Sequence, residues 1–411
     1  MKPRPRGVRR AGVLLAGVLL AAACAGRARP VASVAPNTTL LAGGLAGGAP
    51  SIGAPVDPRA TPETRALFVN LRRLAGHGVM FGHQESLAYG FTWVAEPGRS
   101  DVHDVTGSYP AVYGWDVSTL FAHGPRDPGG TARVDRMRGW IAEGYGRGGV
   151  ITMSWHLGNP VTGRDAWDTT AAVAQLLPGG ASHDVYRAKL DSVAAFFRTL
   201  RARGRDGREA LVPVVFRPFH EMSGGWFWWG RRHATRDEYV ALWRYTVGYL
   251  RDSADVHNLL YAYSPDVFAS QADYLDRYPG DGYVDVLGFD DYQSVRSPAL
   301  RDTLVRRLHD VVTLADARGK VAALTETGVE AIPDSLWWTH TLLPALTADS
   351  LTRRVTWALV WRNANNERDR HNHFFAAYRG QASAPDFVRF HNDPFVLFED
   401  ELPDLYHVAD R

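Results

Sequence analysis

The sequence predicts an α/β protein, a (β/α)8 TIM barrel forming a single domain over residues 58–411. Two observations carry this. Eight apolar runs of strand length alternate with amphipathic segments of helix length, the pattern of a parallel sheet with crossover helices. Polar or aromatic residues close every one of the eight runs, and a barrel sets its working residues at the C-terminal ends of its strands. The length of 411 residues suits a barrel with insertions, and the 45% hydrophobic content supports a large core. A doubly wound open sheet calls for a Gly-rich phosphate loop after a strand. Here Arg147-Gly148-Gly149 precedes a strand instead.

In chain order, Met1 to Arg10 carries Lys2, Arg4, Arg6, Arg9 and Arg10, and Ala11 to Ala23 is apolar and rich in small residues. Residues 1–23 therefore read as a secretory signal peptide, too short for a comfortable transmembrane span. Cys24 follows Leu20-Ala21-Ala22-Ala23, which resembles the bacterial lipoprotein signal, with Leu20 one position early. The expectation is export to the outer surface or periplasm, lipid-anchored if Cys24 is modified and secreted otherwise. A lipid on Cys24 is the expected membrane link. Residues 24–57, rich in Ala, Gly, Pro, Ser and Thr, read as a flexible tether. Cys24 is the one cysteine, so an internal disulfide is impossible and a zinc site built on cysteine is excluded.

The first amphipathic helix falls within Pro58–Ala75, with Thr61 as cap, Pro62 in the first turn, and Leu67, Phe68, Leu71 and Leu74 on one face. The strand runs are Val79–Gly82, Ala111–Trp115, Gly149–Trp155, Leu211–Phe216, Leu259–Tyr263, Val284–Phe289, Val321–Thr325 and Val355–Trp361. Between them lie helices over Val185–Arg203, Asp237–Arg251 and Leu300–Arg318. The formal net charge of +2 is nearly neutral and no basic tract is present, so a nucleic-acid partner is not expected.

The fourth run leads into the most informative stretch, V-V-F-R-P-F-H-E-M-S-G-G-W-F-W-W-G, Val214 to Gly230. A buried strand hands Glu221 to a loop carrying Trp226, Phe227, Trp228 and Trp229. That combination suits sugar chemistry, since pyranose C–H faces stack on indoles and a carboxylic acid in an aromatic pocket can protonate a glycosidic oxygen. The bland reading makes the aromatics core and Glu221 an ion-pair partner of Arg217. Four aromatics in four positions argue against it, because alternation lets at most half share one buried face. Glu326 ends the seventh run in V-A-A-L-T-E-T-G. In a barrel, strands four and seven can present both carboxylates to one cleft, the pair that glycoside cleavage requires.

The chain from about Pro58 onward resembles glycoside hydrolase family 26, whose main members are endo-β-1,4-mannanases. The matching segments are F-G-H-Q at Phe81–Gln84, S-W-H at Ser154–His156, R-P-F-H-E-M-S-G-G-W-F-W-W-G at Arg217–Gly230, G-F-D-D-Y at Gly288–Tyr292, T-E-T-G at Thr325–Gly328 and W-R-N at Trp361–Asn363. The resemblance implies that Glu221 is the general acid/base and Glu326 the nucleophile, with retention of configuration. It implies that His220 contacts the nucleophile or the substrate, and that His156, Trp226, Tyr292 and Trp361 line the subsites. Tyr292 is expected to hold Glu326, and Arg217 to be a buried charge in the barrel mouth. No cofactor or metal is required; His371 and His373 are a weak metal candidate on spacing alone. The expected partner is β-mannan or a related polysaccharide, acted on by a monomer. A β-xylanase or mixed-linkage glucanase on the same fold, or a non-catalytic glycan-binding lipoprotein, are the alternatives.

Overall fold

The computed structural model describes residues 53–122, 128–364 and 372–408. The signal segment, Cys24, most of the tether and His371 lie outside the described residues. Eight parallel strands close into a barrel: β1 (Val79–Gln84), β2 (Val112–Asp116), β3 (Val150–Trp155), β4 (Val214–Pro218), β5 (Leu259–Tyr263), β6 (Val286–Asp291), β7 (Val321–Thr327) and β8 (Trp357–Val360). Each pairs with its sequence neighbours, and β8 closes the ring on β1 with Met80 opposite Trp357. The two-residue strand Val396–Leu397 pairs with β1 as well. Among the described residues no helix is long and apolar enough to cross a membrane.

The first helix, α1 (Pro62–Leu74), forms as its cap predicts: Thr61 Oγ1 accepts from Thr64 N at 3.2 Å. Leu67, Phe68 and Leu71 are fully buried, each worth about 1.5–3 kcal/mol relative to exposure. The other helices named below are α2 (Pro128–Gly146), α3 (His183–Arg198), α4 (Arg236–Gly248) and α5 (Arg301–Arg318). All side chains of β1 and β3 to β8 are buried, as expected of strands covered by helices outside and packed side chains within.

Several boundaries differ from the sequence reading. The helix expected to reach Arg203 stops at Arg198, and Arg201–Arg203 pairs antiparallel with Glu209–Leu211 in a surface hairpin. Leu211 therefore belongs to the hairpin. Pro213, which has no amide hydrogen to give to a ladder, separates it from β4. The helix expected over Asp237–Arg251 is α-helical to Gly248, and a π turn takes Tyr249–Ser253. Strand β6 starts later than expected but runs on to Asp291. At the start of the domain, Val56 N donates to Asp285 Oδ1 at 2.7 Å, and the buried Asp57 accepts from His257 Nδ1 at 2.7 Å. These two residues, placed in the tether on composition, are tied to the barrel by polar contacts that hydropathy does not reveal.

Candidate active site

The β4 terminus positions the first carboxylate. After Pro218 the chain passes through Phe219 and Glu221, both left-handed at φ +50° and +55°. Such backbone is strained for residues with a side chain and persists where the surroundings impose it. Phe219 is fully buried among Trp155, Trp228, Trp229 and Trp243. Glu221 N donates to Ser264 O at the β5 end, 2.8 Å. The turn delivers the Glu221 carboxylate to the barrel mouth, where Trp226 Nε1 donates to Oε2 at 2.7 Å.

The second carboxylate comes from β7. A bulge shifts the β6–β7 register between Phe289 opposite Leu324 and Asp290 opposite Glu326, leaving Thr325 as the extra residue. Thr325 Oγ1 uses that position to bond Asp290 Oδ1 at 2.7 Å. Glu326 is buried; Tyr292 OH donates to its Oε2 at 2.9 Å, and Arg217 Nη2 donates to Oε1. Arg217 also donates to Asp290 Oδ2 at 2.8 Å and Ser264 Oγ at 3.0 Å. Glu221, Asp290 and Glu326 each place a carboxylate oxygen within 4.8 Å of the other two. Arg217 supplies the positive charge that such a cluster needs. Its burial alone would favour the neutral form, but Asp290 and Glu326 outweigh that and hold it charged.

Burial, and then the charges of Asp290 and Glu326, push the Glu221 carboxyl well above the usual range; the Trp226 N–H opposes them. Burial likewise raises Asp290, with Glu326 adding to it and Arg217 opposing.

A third element organises the wall opposite. Asp116, at the end of β2, accepts from Ser118 N at 2.7 Å and Ser154 Oγ at 3.0 Å, and it also bonds His156 Nδ1. Burial alone would lower the His156 pKa, but Asp116 raises it above the ordinary histidine value. His220, fully buried beside Arg217, is pushed the other way. The two rings meet at a 3.2 Å contact between their Nε2 atoms.

The resulting cleft encloses about 690 Å³, within the ordinary range of ligand sites. Of the expected site residues, Glu221, Glu326, His156, Trp226, Tyr292 and Trp361 all line it. His220 does not. It is 1% exposed, lies between the left-handed Phe219 and Glu221, and its Nε2 is 3.2 Å from His156 Nε2. The aromatic loop also divides differently from the sequence reading. Trp226 is 38% exposed in the cleft, whereas Phe227, Trp228 and Trp229 are buried. Phe227 still forms part of the cleft wall. Trp228 Nε1 is bound to Leu157 O, and Trp229 Nε1 to His220 O, each at 2.8 Å. The loop is irregular, so strand alternation does not limit how many of its rings can be buried.

Sequence reasoning missed Trp167, 57% exposed, which lines the cleft and lies 5.6 Å from the His156 ring. Of thirteen tryptophans, Trp167 and Trp226 are the two most exposed. The available signal was a lone indole in the polar loop Gly158–Ser182. Phe375 and Arg296 were missed too and line the same cleft. His373 bonds Glu330 Oε1 at 2.7 Å.

A closed (β/α)8 barrel with two glutamates and an aromatic cleft at its C-terminal mouth is the architecture of a glycoside hydrolase. The chain belongs to glycosyl hydrolase family 26, whose model matches residues 56–340. It is 44% identical over 282 residues to a mannan endo-1,4-beta-mannosidase of Bifidobacterium adolescentis, covering 66% of this chain but 27% of that relative. Among solved structures it is similar to a family 26 beta-mannanase from Bacteroides ovatus, with a TM-score of 0.78 and 41% identity over 85% of this chain and 99% of that one. An endo-beta-1,4-mannanase from Cellulomonas fimi superposes with a TM-score of 0.78 and 36% identity over 87% of this chain and 80% of that one.

Proposed function

We propose that this chain is a retaining endo-β-1,4-mannanase acting by double displacement. The observation that carries the reading is the approach of the Glu221 and Glu326 oxygens to within 4.8 Å. Retaining glycosidases hold their carboxyls about 5–5.5 Å apart, whereas inverting ones leave about 6.5–9.5 Å for a water. Glu221, whose carboxyl is raised by burial and its anionic neighbours, is biased toward its protonated form and serves as the acid. Glu326, held by Arg217 and Tyr292, is the fixed nucleophile. Its oxygen attacks the anomeric carbon as Glu221 protonates the glycosidic oxygen and the C–O bond breaks. Glu221, now a carboxylate, takes a proton from water. The water oxygen attacks the same carbon and releases Glu326.

Mannan is favoured by the similar proteins, which carry mannanase names. Endo action is favoured by an open cleft with exposed indoles, Trp226 and Trp167, standing at its surface. We read the enzyme as a monomer. We read the protein as exported and held at a membrane through Cys24. A product profile on linear mannan, galactomannan, xylan and β-glucan tests the substrate, and NMR of the first-formed anomer tests the stereochemistry. Higher kcat/KM on xylan or lichenan overturns the substrate; initial release of the α-anomer overturns retention.

A further inference from the structure

At the end of the barrel opposite the cleft, a small cavity lies where β7 begins, just before β8, beside the last turns of α1 and α5. It is lined by Arg72, Asp316, Lys320, Arg354 and Thr356 among others. The centre of a water-sized sphere has about 10 Å³ to move in there, which is room for one water or one monatomic ion. A sugar ring or an oxyanion does not fit. None of these residues takes part in the proposed reaction.

The charges around the cavity pair off with one left over. Arg354 grips Asp316 with two bonds, Nε to Oδ2 at 2.9 Å and Nη2 to Oδ1 at 2.7 Å. Arg318 Nε faces Asp281 Oδ1 at 3.5 Å. Lys320 Nζ donates to Asp281 O at 2.7 Å and feels the charge of the buried Asp285. Arg72 has no ion pair among the described residues. Burial pushes its guanidinium toward the neutral form, and Asp316, already held by Arg354, only partly opposes that. Two donors are also left over. Arg72 Nη1 and Thr356 Oγ1 are buried, and neither has a hydrogen-bond partner among the described residues. Thr356 is fully buried, and its backbone is fixed on both sides: its N donates to Ala322 O and its O accepts from Met80 N, each at 2.9 Å. A buried donor with no acceptor is costly, and a buried charge with no partner more so.

We propose that this cavity binds a single halide ion between the Arg72 guanidinium and the Thr356 hydroxyl, fastening α1 to the base of β7 and β8. One monovalent anion matches the one surplus positive charge, and it accepts from both leftover donors. A water molecule would accept the same hydrogen bonds and leave the charge uncompensated. The inference is one about stability, and it stands apart from the mannanase reading.

The test unfolds the full chain with urea at pH 7, in sodium gluconate and in sodium bromide of equal ionic strength. Replacing gluconate by about 100 mM bromide is expected to raise the folding equilibrium constant of the wild type about tenfold, the mass-action gain for a dissociation constant of about 10 mM. Arg72→Met removes the charge and is expected to show no such gain, which separates the site from the general effect of salt on burial. Thr356→Val keeps the shape and removes the unpartnered hydroxyl. It is expected to match the wild type in gluconate and to lose most of the bromide gain; should Arg72→Met fail to fold, this variant carries the comparison. Crystals grown in bromide are expected to show an anomalous peak at the bromine edge against Arg72 Nη1 and Thr356 Oγ1. No bromide gain in the wild type, a full gain that survives in either variant, or an anomalous map without a peak in the cavity each overturns the proposal.

Discussion

The Trp226 indole N–H donates to Glu221 Oε2 at 2.7 Å, five residues along the chain. The tryptophan at the cleft surface is thus a hydrogen-bond partner of the acid as well as a surface for stacking. The bond favours the charged carboxylate and offsets part of the upward push from burial. Trp226→Phe keeps a ring and removes the donor, so the Glu221 pKa should rise. Since Glu221 must be protonated to act, the basic limb of kcat/KM should move to higher pH. A pH profile checks this; an unmoved limb, or one moved down, contradicts it. Trp226→Ala should also lose the stacking surface, about 1–3 kcal/mol in transition-state binding by analogy with other ring-stacking sites.

Gly224 is needed for that contact. A Cβ there would lie 2.3 Å from Trp226 Cη2. Gly224→Ala should displace the indole and lower kcat/KM on mannan while thermal unfolding changes little, because the loop surface is what moves. Unaltered kinetics would show that the ring accommodates the methyl.

The two glutamates should separate by leaving group. With a dinitrophenyl β-mannoside, which needs no protonation to depart, Glu221→Ala should give a burst and then stall for want of a base. Azide should restore turnover and give a β-mannosyl azide. Glu326→Ala should show no burst with any leaving group. On mannan, Glu221→Ala should lose about 10²–10⁴-fold. A burst from Glu326→Ala alone reverses the roles.

Arg217 bonds both Asp290 and Glu326 while 3% exposed. Arg217→Met leaves two buried carboxylates without their cation and should cost about 3–5 kcal/mol of stability. Denaturant unfolding at neutral pH measures it; a loss below about 1 kcal/mol would mean water or protonation replaces the guanidinium.

His83, buried at the end of β1 with Nδ1 3.0 Å from Ser86 Oγ, is pushed from 6.5 down to about 3 by burial. Unfolded, it takes a proton near pH 6.5; folded, it resists until about pH 3. The unfolded state therefore binds more protons between these values. Stability due to neutral His83 is full above pH 6.5 and lost as pH falls. Relative to His83→Gln, the wild type should lose about 1.4 kcal/mol per pH unit below 6.5. Urea titrations at pH 7, 6 and 5 give the two curves, and parallel curves refute it.

Export can be tested on native protein by mass spectrometry. A mature chain beginning at a lipid-modified Cys24 is expected, and Cys24→Ala should release the protein from the membrane fraction. Unchanged membrane association removes the lipid anchor from the account. One acyl chain binds only marginally, so a multiply acylated terminus is the species to look for.

The barrel was legible in the chain because its signals are local. Burial on both faces makes each strand a continuous apolar run, and Thr61, Pro62 and the apolar stripe of α1 announce a helix within a few residues of one another. The glutamates were legible because each sits next to an apolar run that locates it. Contacts between distant segments were not. The contact of His220 with His156, 64 residues earlier, has no signal in the sequence. Trp228 and Trp229 read as a sugar platform, yet their N–H groups bond carbonyls inside the fold. Trp167 enters the cleft because a long loop folds back beside His156. Glu85 and Arg362 meet because β8 closes on β1, 277 residues apart in number. Periodicity reports how one segment faces the core. Which side chains share a cavity, and what charge they feel there, is settled only when barrel closure and loop packing bring separate strand ends together.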